Sequence, residues 1–205
     1  MNRFKPALAL LAAAVIGSLP VHAQAKGDPA KGQTLAGACA ACHGVDGNSV
    51  VPVNPNLAGQ HGDYIAKQLA EFKAGTRANP IMAGMAAALT PEAMADLGAH
   101  FRRQKVRAPG AKNRDLVDQG RKLYRGGDTT RGIPACAACH SPTGAGMAAQ
   151  YPRVGGQHAD YTVAQLKAFR AGERANDSGA MMRTVAAKLT DAEIGALAEY
   201  LAGLR

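Results

Sequence analysis

Past residue 16 the chain has no apolar run approaching the roughly 20 residues that a membrane-spanning helix needs. No segment alternates apolar and polar residues as a strand would. Nor is there a nucleophile with its base, a pair of acids at a plausible site, or a phosphate-binding loop. Membrane-spanning bundles, sheet folds and the common hydrolytic and phosphoryl-transfer chemistries are thereby set aside. Acidic residues are scarce, 15 Asp and Glu against 24 Lys and Arg, for a formal net charge of +9. Cysteine is scarcer still, with four in 205 residues.

Those four cysteines all lie in two copies of one pentapeptide, Cys39-Ala40-Ala41-Cys42-His43 and Cys136-Ala137-Ala138-Cys139-His140. Cys-x-x-Cys-His is the attachment pattern of c-type haem. Two thiols form thioethers with the vinyl groups of one haem, and the adjacent histidine ligates its iron. Two motifs predict two covalently attached haem c groups, held by Cys39, Cys42, Cys136 and Cys139, with His43 and His140 as iron ligands. A zinc site pooling both cysteine pairs competes, but it leaves the two histidines unexplained. A redox dithiol lacks its strand–helix context. With all four thiols committed to haem, no disulfide is expected.

Arg3 and Lys5, an apolar run from about Ala7 to Ile16 and small residues beyond it read as a secretory signal. Cleavage is expected after Ala23 or Ala25, making residues 1–25 the signal. Its loss removes Arg3 and Lys5 and leaves a formal charge of +7. Export points to the periplasm and makes nucleic acid an improbable partner for so basic a chain.

The chain also repeats itself. Gly59-Gln60-His61-Gly62-Asp63-Tyr64 returns as Gly156-Gln157-His158-Ala159-Asp160-Tyr161, at the same 97-residue shift that relates Cys39 to Cys136. The match continues through Gln68/Gln165, Phe72/Phe169, Gly75/Gly172, Arg77/Arg174 and Asn79/Asn176. Three extra residues then raise the shift to 100, aligning Leu89-Thr90 with Leu189-Thr190. The reading is two tandem domains, 26–106 and 115–205, joined by a basic linker over 107–114 broken at Pro109-Gly110. Each half is small for a core of its own, and a buried haem supplies the missing apolar mass.

Helices are expected over 63–74 and 160–171, where Tyr64, Gln68 and Phe72 recur at helical spacing before Gly75. A final helix starts at Thr90 before Pro91, and its partner at the capping-box sequence Thr190-Asp191-Ala192-Glu193. Shorter helices containing Gly32 and Gly120 precede the haem motifs. The fold class is all-α.

The second axial position of each iron decides what the protein can do. A methionine thioether suits electron transfer, and an open site suits turnover of small molecules. Met82 and Met182 match at the 100-residue shift, whereas Met85 and Met181 match Val185 and Ile81. Met94 pairs with Ile194 as a core position would, and Met147 pairs with Val50. The symmetric pair Met82/Met182 is therefore the expected ligand set, with Met85 and Met181 as neighbours that compete for it. His61 and His158, each 18 residues after its motif histidine, offer bis-histidine ligation instead. His100, aligned with Tyr200, looks incidental. Matched prolines Pro55 and Pro152 place a carbonyl where it could accept from Nδ1 of the ligating histidine.

A signal peptide, two class I cytochrome c domains and a Gly-Gln-x-x-x-Tyr segment in each half resemble the cytochrome c4 family. The resemblance covers nearly the whole mature chain. It implies a periplasmic dihaem electron carrier, not an enzyme. His43 and Met82 would ligate the first iron, His140 and Met182 the second, in domains packed for electron exchange between haems. It further implies redox partners such as a membrane-bound donor and a terminal oxidase. Two other functions compete: a cytochrome subunit of a larger dehydrogenase or oxidase complex, and a dihaem peroxidase, against which the matched methionines argue. Arg102, Arg103, Lys105, Arg107, Lys112 and Arg114 either dock the protein on an acidic partner or an anionic membrane surface, or serve only as a solvated linker.

Overall fold

Thr90 and Thr190 each accept a hydrogen bond from the backbone three residues on, at 3.2 Å, and so open the last helix of each half. Thr190 and Glu193 complete a reciprocal capping box. These helices are part of a computed structural model that describes Met1 and residues 27–147 and 150–205. Apart from Met1, the expected export signal lies outside the described residues.

The first half contains α1 (Pro29–Ala36), a 3₁₀ turn leading into α2 (Ala40–His43), α3 (Gly62–Ala74), α4 (Pro80–Ala86) and α5 (Pro91–Arg102). The second contains α6 (Val117–Gly126), α7 (Ala137–His140), α8 (Ala159–Ala171), α9 (Met181–Ala186) and α10 (Asp191–Gly203). α3 and α8 begin one residue before the expected starts and end in left-handed Gly75 and Gly172. The short helices α4 and α9 were not legible, because six or seven residues carry too little periodicity. Among the described residues there is no strand, only the isolated bridges Asp128–Ile133 and Met147–Tyr151. No helix among them is long and apolar enough to cross a membrane.

In each half the helix before the haem motif crosses the final helix at a glycine. A Cβ on Gly32 would lie 2.0 Å from the carbonyl oxygen of Asp96, and one on Gly120 equally close to that of Ala196. Backbone meets backbone there, so no side chain fits. One turn on, the Cβ atoms of His100 and Tyr200 pack against the same glycines. His100 is therefore not incidental: it occupies a matched crossing position, which the alignment with Tyr200 obscured because the two residue types differ.

The buried apolar cluster of the first half is small: Ala36, Ile65, Leu97 and Phe101. Leu57, Leu69 and Leu89 pack beside it with Cys39 and are only partly buried. The second half repeats the pattern, with Val154, Leu166 and Val185 partly buried beside Cys136. These side chains are the apolar surface available to a macrocycle anchored at the cysteines. The nine extra residues between α6 and the second motif form a tight loop in which Asp128 accepts from Thr130 and Arg131. The loop delivers Ile133, 2% exposed, into the second core.

Candidate haem centres

The motif helices α2 and α7 each end at a buried histidine. His43 Nδ1 lies 2.9 Å from the carbonyl oxygen of Pro55, and His140 Nδ1 lies 2.9 Å from that of Pro152. A carbonyl can only accept, so the proton sits on Nδ1 and the Nε2 lone pair is free for iron. Burial lowers both histidine pKa values against the opposing effect of the carbonyl bond, favouring the neutral imidazole that metals require. All four cysteines are free of disulfides, with Cys42 and Cys139 exposed and Cys39 and Cys136 half-buried. Burial pushes the Cys136 thiol up to about 11 and also raises Cys39. Among the described residues no three His, Cys, Asp or Glu side chains gather to hold a metal ion. The pooled zinc site is thereby overturned, because each cysteine pair stays with its own half. Two thiols, a histidine oriented through Nδ1 and an incomplete apolar core fit a covalently held haem in each half.

Met82 lies on α4 and Met182 on α9, and both are half-buried, whereas Met85 and Met181 are exposed. Asn79 caps α4 by accepting from the Met82 backbone N–H at 2.9 Å. In the second half the three extra residues form a 3₁₀ turn over Ser178–Ala180, and Asp177 accepts from the Arg183 backbone instead. Met94 is buried at 4%, the core position expected. Met147 is exposed on its loop.

His61 and His158 do not point their Nε2 atoms at either haem site. His61 Nε2 is 2.9 Å from the carbonyl of Ala145, and His158 Nε2 is 2.9 Å from that of Ser49. Each therefore donates to the opposite half. Neighbouring glutamines act alike: the Gln60 amide bonds both N–H and C=O of Arg153, and the Gln157 amide bonds both of Asn56. Asn56 and Arg153 are themselves related by the 97-residue shift. The Gly-Gln-His repeat is thus a two-fold clasp between domains, not a ligand set.

A second clasp joins α3 and α8. Arg77 donates to Tyr161 and Gln165 of the second half, and Arg174 to Tyr64 and Gln68 of the first, at 2.9 to 3.1 Å. Each guanidinium also lies over a phenylalanine of its own half, Arg77 on Phe72 and Arg174 on Phe169. Burial opposes ionisation of Tyr161, but the two guanidiniums outweigh it and lower its pKa. Val106 is wedged between the glycines that open the two Gly-Gln-His segments: a Cβ on Gly59 would lie 2.6 Å from it and one on Gly156 2.7 Å. In the sequence the clasp pairs are visible only as repeats, without their interface role. The available signal was that polar side chains, which surfaces rarely need to keep, recur in both halves.

The sequence pattern of the family described as Cytochrome c matches residues 29–105 and again 117–205. Cytochrome c4 of Thiocapsa roseopersicina is 50% identical over 181 residues, covering 87% of this chain and 93% of that one. The thiosulfate dehydrogenase electron acceptor of Stutzerimonas stutzeri is 40% identical, covering 82% and 79%. The crystal structure of reduced recombinant cytochrome c4 from Pseudomonas stutzeri superposes with a TM-score of 0.84 at 45% identity, covering 87% of this chain and all of that one. With two haem c groups on an all-α, two-domain frame, the chain belongs to the cytochrome c4 family of electron-transfer cytochromes.

Proposed function

We propose that the protein is a periplasmic carrier that moves single electrons between respiratory-chain partners, with His43 and Met82 ligating one haem iron and His140 and Met182 the other. A bound haem would supply the redox couple. The chain's own part is to fix each imidazole through a prolyl carbonyl and to offer a half-buried thioether from a short helix. The observation that carries the reading is the paired Nδ1–carbonyl bond, 2.9 Å in both halves, which leaves two equivalent Nε2 atoms for iron. Partial burial of Met82 and Met182 against exposed Met85 and Met181 supports the methionine assignment. Residues 26–106 and 115–205 are the two functional units, and 107–114 is the segment that joins them.

A membrane-bound donor and a terminal oxidase fit a mobile carrier of this kind. A dehydrogenase is a second candidate donor, because a relative 40% identical is named as the electron acceptor of thiosulfate dehydrogenase.

The test is a redox titration of the holoprotein followed through the weak far-red band of methionine-ligated ferric haem. Wild type should show the band at two-haem intensity, Met82→Ala and Met182→Ala each at half, and Met85→Ala and Met181→Ala unchanged. Loss of half the band in Met85→Ala or Met181→Ala would move that ligand to the neighbour. A high-spin haem in wild type would overturn the carrier reading.

A further inference from the structure

The first half exposes apolar side chains that its fold does not use. Val45, Val50 and Val53 are 82%, 90% and 67% exposed, all on one loop. The residues matching them in the second half are Pro142, Met147 and Gln150, so the repeat does not require valine. The loop is fixed in place. Ser49 Oγ donates to the Cys42 carbonyl at 2.8 Å, Asn54 Nδ2 donates to it at 3.2 Å, and the Ser49 N–H donates to Asn56 Oδ1 at 2.8 Å. The valines are thus displayed beside Cys42, an exposed haem-attachment residue.

A basic rim lies against this loop. The Asn48 side chain accepts from the Arg107 N–H at 2.7 Å and donates to the Lys105 carbonyl at 3.0 Å. Asp46, the only acid between Gly44 and Pro55, is taken up by an ion pair with Arg107. Arg102, Arg103 and Lys105 are exposed and form no ion pair among the described residues. Val45 and Gln104 also share the walls of a recess of about 330 Å³ with Gln33 and His100, so loop and rim are continuous.

We propose that this valine loop, with Arg103 and Lys105 at its edge, is the surface on which an acidic redox protein docks. It deepens the carrier reading and rests on it. The partner presents an apolar centre ringed by carboxylates: burial of the valines holds the complex, and the unpaired cations steer its approach.

The experiment measures electron transfer from the reduced holoprotein to an oxidised acidic plastocyanin across ionic strength, with ferricyanide as a small oxidant that needs no docking face. Val50→Ser with Val53→Ser should slow transfer to plastocyanin at least ~tenfold at every salt concentration, because burial of even one valine is worth about that factor. Arg103→Gln with Lys105→Gln should slow it severalfold at low salt and converge on wild type at high salt. Met147→Ser, the matched change in the second half, should leave it unchanged. Ferricyanide should oxidise the valine variant and Met147→Ser at the wild-type rate at any salt, and the Arg103/Lys105 variant at the wild-type rate once high salt screens the trianion. The docking face is overturned if both first-half variants keep the wild-type rate, or if Met147→Ser alone lowers it. It is overturned in favour of a second copy of the chain if wild type sediments as a dimer and the valine variant does not. It is overturned in favour of a membrane surface if wild type binds phosphatidylglycerol vesicles and the variants do not. Failure of ferricyanide to oxidise wild type would instead sink the carrier reading itself.

Discussion

Arg77 Nη2 donates to the hydroxyl of Tyr161 across the domain interface at 2.9 Å. The same guanidinium reaches Gln68 and Gln165 and stacks on Phe72, so a buried charge is met by three side-chain acceptors and a π face. Removing the whole side chain abandons every one of those acceptors, whereas removing one hydroxyl abandons a single bond to a charged donor. Tyr161→Phe should cost about 1–2 kcal/mol and Arg77→Ala about 3 kcal/mol. Denaturant unfolding of the holoprotein measures both, and equal small losses would show that the clasp contributes little.

Val106 is held between two glycines of positive φ, Gly59 at 65° and Gly156 at 76°. Gly59→Ala should therefore destabilise by about 1–3 kcal/mol, combining left-handed backbone strain with a clash against Val106. Val106→Ala in the same chain should recover part of that loss, because it removes the clash and leaves the strain. A double-mutant cycle separates the two. Strict additivity would mean that the wedge is not tight.

The same segment marks what a single sequence could and could not disclose. The haem motifs, the helix caps at Thr90 and Thr190 and the repeat were legible because each is a short-range pattern. The prolyl carbonyls were anticipated too, since a motif histidine needs an acceptor and matched prolines supplied it. The clasps were not legible. A tandem repeat says that Gln60 corresponds to Gln157, but not that each turns away from its own haem to grip the other half. That outcome depends on two-fold packing, which brings together residues about a hundred positions apart. Val106 was hidden for a similar reason: within a basic stretch it reads as one apolar residue at the end of the first domain, and only the two facing glycines give it a role.

Acid should loosen the second half. Arg131 bridges Asp128 in the nine-residue loop and Glu193 in the capping box of α10. Hydrogen bonds from Thr130 and Arg131 bring Asp128 down to about 2, and Arg131 does the same for Glu193. Both folded-state values lie below the ordinary carboxylate range near 4. The stabilisation is therefore complete above that range and is lost as pH falls toward about 2. Thermal unfolding of the holoprotein between pH 6 and pH 2 should show the second half weakening as pH drops. Glu193→Gln should flatten that slope, and a slope unaltered by the change would remove the bridge as its cause.

His158 offers the sharpest separation between ligand and clasp. Its Nε2 donates to the Ser49 carbonyl, and Ser49 Oγ in turn donates to the Cys42 carbonyl. A residue of the second half thus braces the loop that is tied to the backbone of the first half's attachment cysteine Cys42. If this is its whole role, His158→Gln should leave both haems low-spin with the far-red band at two-haem intensity, because no iron loses a ligand. Stability should fall by about 1 kcal/mol, the usual worth of one buried neutral hydrogen bond. His140→Gln should behave oppositely, converting one haem to a high-spin spectrum even where the fold survives. A spectral change in His158→Gln comparable to that in His140→Gln would return His158 to the iron and undo the reading of the Gly-Gln-His repeat as an interface. An unchanged spectrum with lowered stability would tie the sequence repeat to domain packing, and leave the matched methionines as the thioethers to test.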